Sequence, residues 1–147
     1  MIRNFVVVML TSLMIGACSK PQEKVATIPS VILDTDIGPD YDDVGAMAVL
    51  HALADSGEVK PLAVIASNVH ELVVPAIDIL NTYYGRPELP TGAPKGEGVP
   101  NAKASQGWPE LIASKYPHTI KSSAEAPNAI ETYRKELSQQ PDSSVTI

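Results

Sequence analysis

The sequence predicts an α/β domain built on an open, mainly parallel sheet with flanking helices. Two short, continuous apolar runs, Val31-Ile32-Leu33 and Pro61-Leu62-Ala63-Val64-Ile65-Ala66, read as strands buried on both faces. Each is followed by a longer segment with apolar residues at helical spacing. Strands alternating with helices imply right-handed βαβ units and a parallel sheet. The composition, 44% hydrophobic and 19% charged, is that of a folded chain, and 147 residues suffice for one domain with a modest core.

The first residues stand apart from that domain. Arg3 precedes an apolar stretch from Phe5 to Ile15, and Gly16-Ala17-Cys18 follows. This order of a basic residue, a short apolar region and small residues is that of an export leader, and the apolar part is too short to span a bilayer. Ile15-Gly16-Ala17-Cys18 resembles the lipobox of bacterial lipoproteins. The resemblance implies cleavage after residue 17 and lipidation of Cys18, the chain's single cysteine, which has no internal disulfide partner. The expectation is an exported bacterial lipoprotein, held by its lipid at a periplasmic or outer-membrane face. Residues 18–30 then form a polar tether and 31–147 the domain.

Within the domain the elements follow in order. Val31–Leu33 is the first strand. Val44–Ala54 is a helix apolar nearly all round, hence well buried, with Asp40 as its N-cap and Asp42 and Asp43 where acids complement the helix dipole. Gly57 suits the residue just past its end. Pro61–Ala66 is the second strand. A second helix over Glu71–Tyr84 carries Leu72, Ala76, Ile79, Leu80 and Tyr83 at helical spacing, with Pro75 near its first turn. Leu89–Gly92 reads as a short third strand, Pro109–Ser114 as a short helix in a loop-rich region, and Ala124–Ser138 as an amphipathic helix carrying Ala129, Ile130, Tyr133 and Leu137. Ser143–Ile147 begins a strand.

The net charge of −6 and pI near 4.9, without any basic run, argue against nucleic-acid binding. The chemistry concentrates instead in Asp34-Thr35-Asp36-Ile37-Gly38-Pro39-Asp40-Tyr41-Asp42-Asp43. In an open parallel sheet, ligands bind at the carboxyl ends of the strands. Asp34 and Asp36 leave the first strand there, and Asp42 and Asp43 open the next helix, so the carboxylates converge on one crevice. Repulsion among them calls for a cation, helix N–H groups or solvent. Capping explains Asp40 best, but leaves Asp34 and Asp36 at the end of a buried strand unexplained.

A calcium EF-hand does not fit, because position 12 counted from Asp34 or Asp36 is Gly45 or Met47 rather than glutamate. A haloacid-dehalogenase-type phosphatase also begins with Asp-x-Asp after a strand. It wants Thr or Val where Gly38 stands, and leaves Asp42-Asp43 unused.

Ile32-Leu33-Asp34-Thr35-Asp36-Ile37-Gly38 with Asp42-Asp43 resembles the N-terminal signature of the inosine-uridine-preferring nucleoside hydrolases. The resemblance continues through Leu62–Asn68 and Asn81-Thr82-Tyr83-Tyr84-Gly85-Arg86-Pro87. It implies a nucleoside-hydrolase-like, Rossmann-like fold and Ca²⁺-dependent hydrolysis of the N-glycosidic bond of ribonucleosides. By the same resemblance Asp36 and Asp43 would ligate Ca²⁺, and Asp36 would also be the catalytic base. Asp42 and Asn68 would contact the sugar, with Asp34 and Asp40 supporting. Three residues separate Gly38 from the aspartate pair where the best-studied members have one, which leaves Asp40 and Asp42 as alternatives for the residue facing the sugar. No histidine-rich segment occurs near Thr91–Ser105, so the acid that protonates the leaving base is unassigned.

His51 is expected to pack or lie on the surface, His70 to sit near the crevice, and Trp108 and His118 mainly to pack. The resemblance also implies that this chain is the N-terminal portion of a longer hydrolase, whose remaining calcium oxygens lie further on. A non-catalytic acidic lipoprotein that binds a sugar or a partner is the alternative, and a homo-oligomer is compatible with both.

Overall fold

The computed structural model describes residues 27–99, 101–102 and 107–147. The leader at 1–17, Cys18 and most of the tether at 18–30 lie outside the described residues. The elements are β1 (Ser30–Thr35), α1 (Asp42–Asp55), β2 (Lys60–Ala66), α2 (Val73–Tyr83), β3 (Thr91–Gly92), α3 (Trp108–Lys115), α4 (Ala129–Leu137) and β4 (Val145–Thr146). The fold is α/β: among the described residues one four-stranded, all-parallel open sheet runs in the order β3-β2-β1-β4 with helices on its faces.

Strand order determines where the faces and the crevice lie. From β1 the chain moves through α1 to β2 and through α2 to β3, and both helices share one face of the sheet. Ile37, Met47, Leu50, Val64, Val73, Val74 and Ile77 pack there. The chain then returns across the sheet by way of α4, whose Ala129 packs with Ile32, Leu62, Ala63 and Ile65 on the opposite face. The direction of winding therefore reverses between β1 and β4. In open parallel sheets that reversal opens a crevice at the carboxyl ends of the two strands.

β1 and β2 form the longest pairing, from Ser30 opposite Lys60 to Thr35 opposite Ala66. The register slips between Val31 and Ile32, beside Pro61, which has no N–H to give to the ladder. The sheet is closely covered at Gly92, where a Cβ would lie 2.9 Å from the Ala129 Cα of α4. Just beyond, Ala93 exchanges backbone bonds with residues 127 and 129, its N–H donating to Pro127 O and its carbonyl accepting from Ala129 N. α2 is buried along most of its length and carries Asp78, 4% exposed, into the interior. That carboxylate accepts from Thr119 N, Thr119 Oγ1 and Ile120 N, so its burial is compensated.

The elements differ from the expected ones in four places. Asp40 is not the N-cap of α1: Tyr41 occupies that position and makes no side-chain cap. α1 is not buried all round, since only Met47, Leu50 and His51 are buried and Val49 is 59% exposed. α4 starts at Ala129 rather than Ala124, because the residue before Pro127 is steered out of helical backbone and Asn128 caps the helix by accepting from Ile130 N. Tyr83 and Ile130 share helical spacing with core residues yet lie exposed. Periodicity identifies which residues share a face, and burial depends on whether an element covers it.

Replacing Gly92 by alanine drives a methyl into the α4 backbone and is expected to destabilise the fold by about 1–3 kcal/mol. Urea unfolding of G92A measures it. A midpoint equal to wild type would mean that α4 does not lie this close to β3.

Candidate functional site

β1 ends at Thr35, and the chain turns through Ile37, Gly38 and Pro39 into α1. Gly38 has φ of +141°, a conformation that a side chain would strain. Ile37 is fully buried and anchors the turn in the core. The turn delivers Asp36, Asp40, Asp42 and Asp43 to the carboxyl end of β1, whereas β4 pairs with the opposite end of that strand, at Ser30 and Val31.

Asp40, Asp42 and Asp43 each offer a carboxylate oxygen, and these oxygens lie within 4.8 Å of one another. Asp36 lies close enough to raise the Asp43 carboxyl by its charge. Their mutual effects are visible in their proton affinities. Asp40 is raised above the usual carboxylate range, mainly because it faces the Asp42 carboxyl, and Asp42 is lowered by the same contact. Asp43 is raised chiefly by burial and further by the charges of Asp36 and Asp42, while a bond from Thr35 acts in the opposite direction.

An all-carboxylate donor set suits a hard cation, and Ca²⁺ takes about six to eight oxygens at about 2.4 Å. Two oxygens on one such ion are at most about 4.8 Å apart, so the spacing of Asp40, Asp42 and Asp43 fits one ion. The same acids also lie in the first turn of α1, where Asp42 and Asp43 favour the helix dipole. The grouping shares Asp43 with the pair implied by the resemblance and adds Asp40 and Asp42 as donors.

Asp34 is separated from the others. It is exposed within β1, and its Oδ2 accepts from Tyr133 Oη of α4 at 2.6 Å. Burial and this carboxylate push the Tyr133 hydroxyl pKa upward.

Asn68 stands at the exit of β2, next to Asp36, and is fully buried. Its Oδ1 accepts from His70 N and Ala102 N, and its Nδ2 donates to Asp36 O and Ala102 O. Every polar site of the amide is thus engaged by backbone, which makes Asn68 a clamp that holds Asp36 in place. His70 helps to form the entrance of α2, where its Nδ1 accepts from Leu72 N.

Two contacts at the site are missing from the sequence reading. Thr35, 2% exposed, accepts from Ile37 N at 3.1 Å, tying the end of β1 to the turn that follows. Strand alternation, which turns Thr35 away from Asp34 and towards α1, is the signal that could have found it. Trp108 of α3 donates from Nε1 to Gly38 O at 3.2 Å, and its ring lies 6.0 Å from that of Tyr41, so an aromatic pair flanks the aspartates. A contact over that sequence distance leaves no local signal.

Removing the Asn68 amide strands buried backbone groups in two loops. N68A is expected to lose about 2–4 kcal/mol of stability in urea unfolding, and N68D more, since carbonyls would then face a carboxylate. Wild-type stability in both variants would contradict the clamp. Comparison of the chain with protein-family models, with curated proteins and with solved structures returns no match, so the reading of this site rests on its own geometry.

Proposed function

We propose that the chain carries a Ca²⁺-dependent site for hydrolysis of the N-glycosidic bond of a ribonucleoside, on a nucleoside-hydrolase-like fold. The observation that supports this reading most is the gathering of Asp36, Asp40, Asp42 and Asp43 in the turn that follows the carboxyl end of β1. Asp40, Asp42 and Asp43 are the residues that would hold the ion, with Asp36 at its side. Calcium, when bound, supplies a positive charge that orients sugar hydroxyls and makes water more acidic.

The remaining work belongs to the chain. Asp36 accepts a proton from the attacking water, and its backbone position is held by Asn68. Water adds to C1′ as the bond to the base nitrogen breaks, through an oxocarbenium-like transition state that neighbouring carboxylates stabilise. Asp42 would accept hydrogen bonds from ribose hydroxyls, as the resemblance implies. Tyr41 and Trp108 offer an apolar flank beside the acids. In the same reading the leader and Cys18 make this an exported protein anchored to a membrane by lipid.

The phosphatase alternative needs Asp34 and Asp36 to act together on one phosphate. Asp34 is drawn to Tyr133 on the α4 face and Asp36 to Asp43 on the α1 face, which speaks against it. A binding role without catalysis has one observation in its favour: the Asn68 side chain is fully engaged by backbone and offers a substrate nothing.

Ribose release from inosine and uridine, followed with calcium and with a chelator, tests the proposal. Activity is expected to vanish with chelator and to fall about 10²-fold or more in D36N. Activity indifferent to both would overturn the mechanism. Calcium and ribose binding without release would establish the non-catalytic role.

A further inference from the structure

At the opposite end of the domain from the aspartates, α1 and α2 are joined by a small polar cluster inside otherwise apolar packing. His51 of α1 is fully buried, and its ring stacks on Tyr84 with centroids 4.7 Å apart and planes 19° from parallel. Its Nε2 lies 3.1 Å from Asn81 Oδ1 of α2, and its Nδ1 lies 3.3 Å from Arg86 Nη1. Arg86 also bonds Tyr84 O, and through Nη2 it reaches Asp55, at the end of α1, at 2.5 Å.

These partners determine where the ring proton sits. A guanidinium can only donate, so the Nδ1 facing it must carry a lone pair. The proton of the neutral ring is then on Nε2, which donates to Asn81 Oδ1. A second proton can enter only at Nδ1, and there it would meet an N–H of Arg86 and a positive charge. Protonation of His51 and the His51–Arg86 contact therefore exclude each other.

We propose that His51 and Arg86 form a pH-sensitive latch that fastens the C-terminal corner of α1 to that of α2 and opens in mild acid. The groups acting on His51 from the elements around it are Asn81 and Tyr84 of the α2 end, Arg86 of the following turn, and Asp55 of its own helix. Burial, foremost, and the Arg86 charge hold the histidine below its ordinary value of 6.5, against the Asn81 bond and the Asp55 charge. The open form protonates near 6.5, and the closed form only at lower pH. The latch is accordingly closed above 6.5 and is lost as pH falls towards the closed-state value, with uptake of one proton. Arg86 has space to move into, since it lines a surface cavity of about 450 Å³ shared with Lys60, Glu88 and Glu136.

A histidine that merely packs would protonate only when the whole domain unfolds. The two cases separate in amide hydrogen exchange of the full chain, read residue by residue between pH 7.5 and 5 and corrected for the intrinsic pH dependence of exchange. The latch is expected to cost the amides of residues 81–90 up to about tenfold in protection per pH unit below 6.5, while Val64 and Ile65 of β2 keep theirs. In H51Q, which cannot take up a proton, the pH dependence at 81–90 should disappear. In R86Q the NMR titration midpoint of His51 should move upward. Loss of protection at 81–90 only in step with β2, or an unchanged pH dependence in H51Q, would overturn the proposal. If H51Q does not fold, the wild type decides: protection at 81–90 must fall from pH 6.5 downward and level off at the His51 midpoint, and protection that stays flat down to that midpoint overturns it.

Discussion

Carboxylates can be brought together only if something other than their own interactions holds the backbone that carries them. Here that constraint is met by the pairing of β1 with β2, which runs to Thr35 and Ala66, the last residues before each loop departs. Both strands are embedded in apolar packing from two faces, so their ends are fixed points. Ser67 N donates to Thr35 O at 2.8 Å and extends the ladder to the mouth of the crevice. The acidic turn is suspended from this end, and repulsion within it acts against a rigid support.

Three contacts transmit that rigidity to the turn, each from a different part of the chain. Thr35 fastens Ile37 of the turn to β1, Asn68 fastens the Asp36 backbone to the exit of β2, and Trp108 fastens Gly38 to α3. All three place neutral donors against neutral hydroxyl or carbonyl oxygen. They hold the turn without neutralising it, so its negative potential persists. The proton affinity of Asp40, raised mainly by the facing Asp42 carboxyl, is a sign of that persistence. The framework carries the cost of crowding the charges.

Much of this architecture was legible in the residues. Apolar runs at Val31–Leu33 and Pro61–Ala66, each followed by helical spacing, define the parallel sheet, and Gly38-Pro39 marks where the chain must turn. From that alone the acids fall at the carboxyl end of β1. The illegible parts depend on partners distant in sequence. Asn68 reads as a polar residue near the crevice, and only the fold brings residue 102 to meet it. Tyr133, which binds Asp34, is nearly the length of the domain away. Asp40 looks like a helix cap by residue type, yet the turn after Gly38 starts the helix from Tyr41, and capping depends on that backbone detail.

The close seating of α4 on β3 has a consequence for how molecules of this protein meet one another. A sheet grows by adding chains at its edges, and β3 is an outer strand. Its outward-facing residues are already occupied: Thr91 O accepts from Thr132 Oγ1, and Ala93 bonds Pro127 and Ala129 through both its N–H and its carbonyl. The downstream chain thus acts as a selvedge along part of that margin, leaving less of it for another strand to stitch onto.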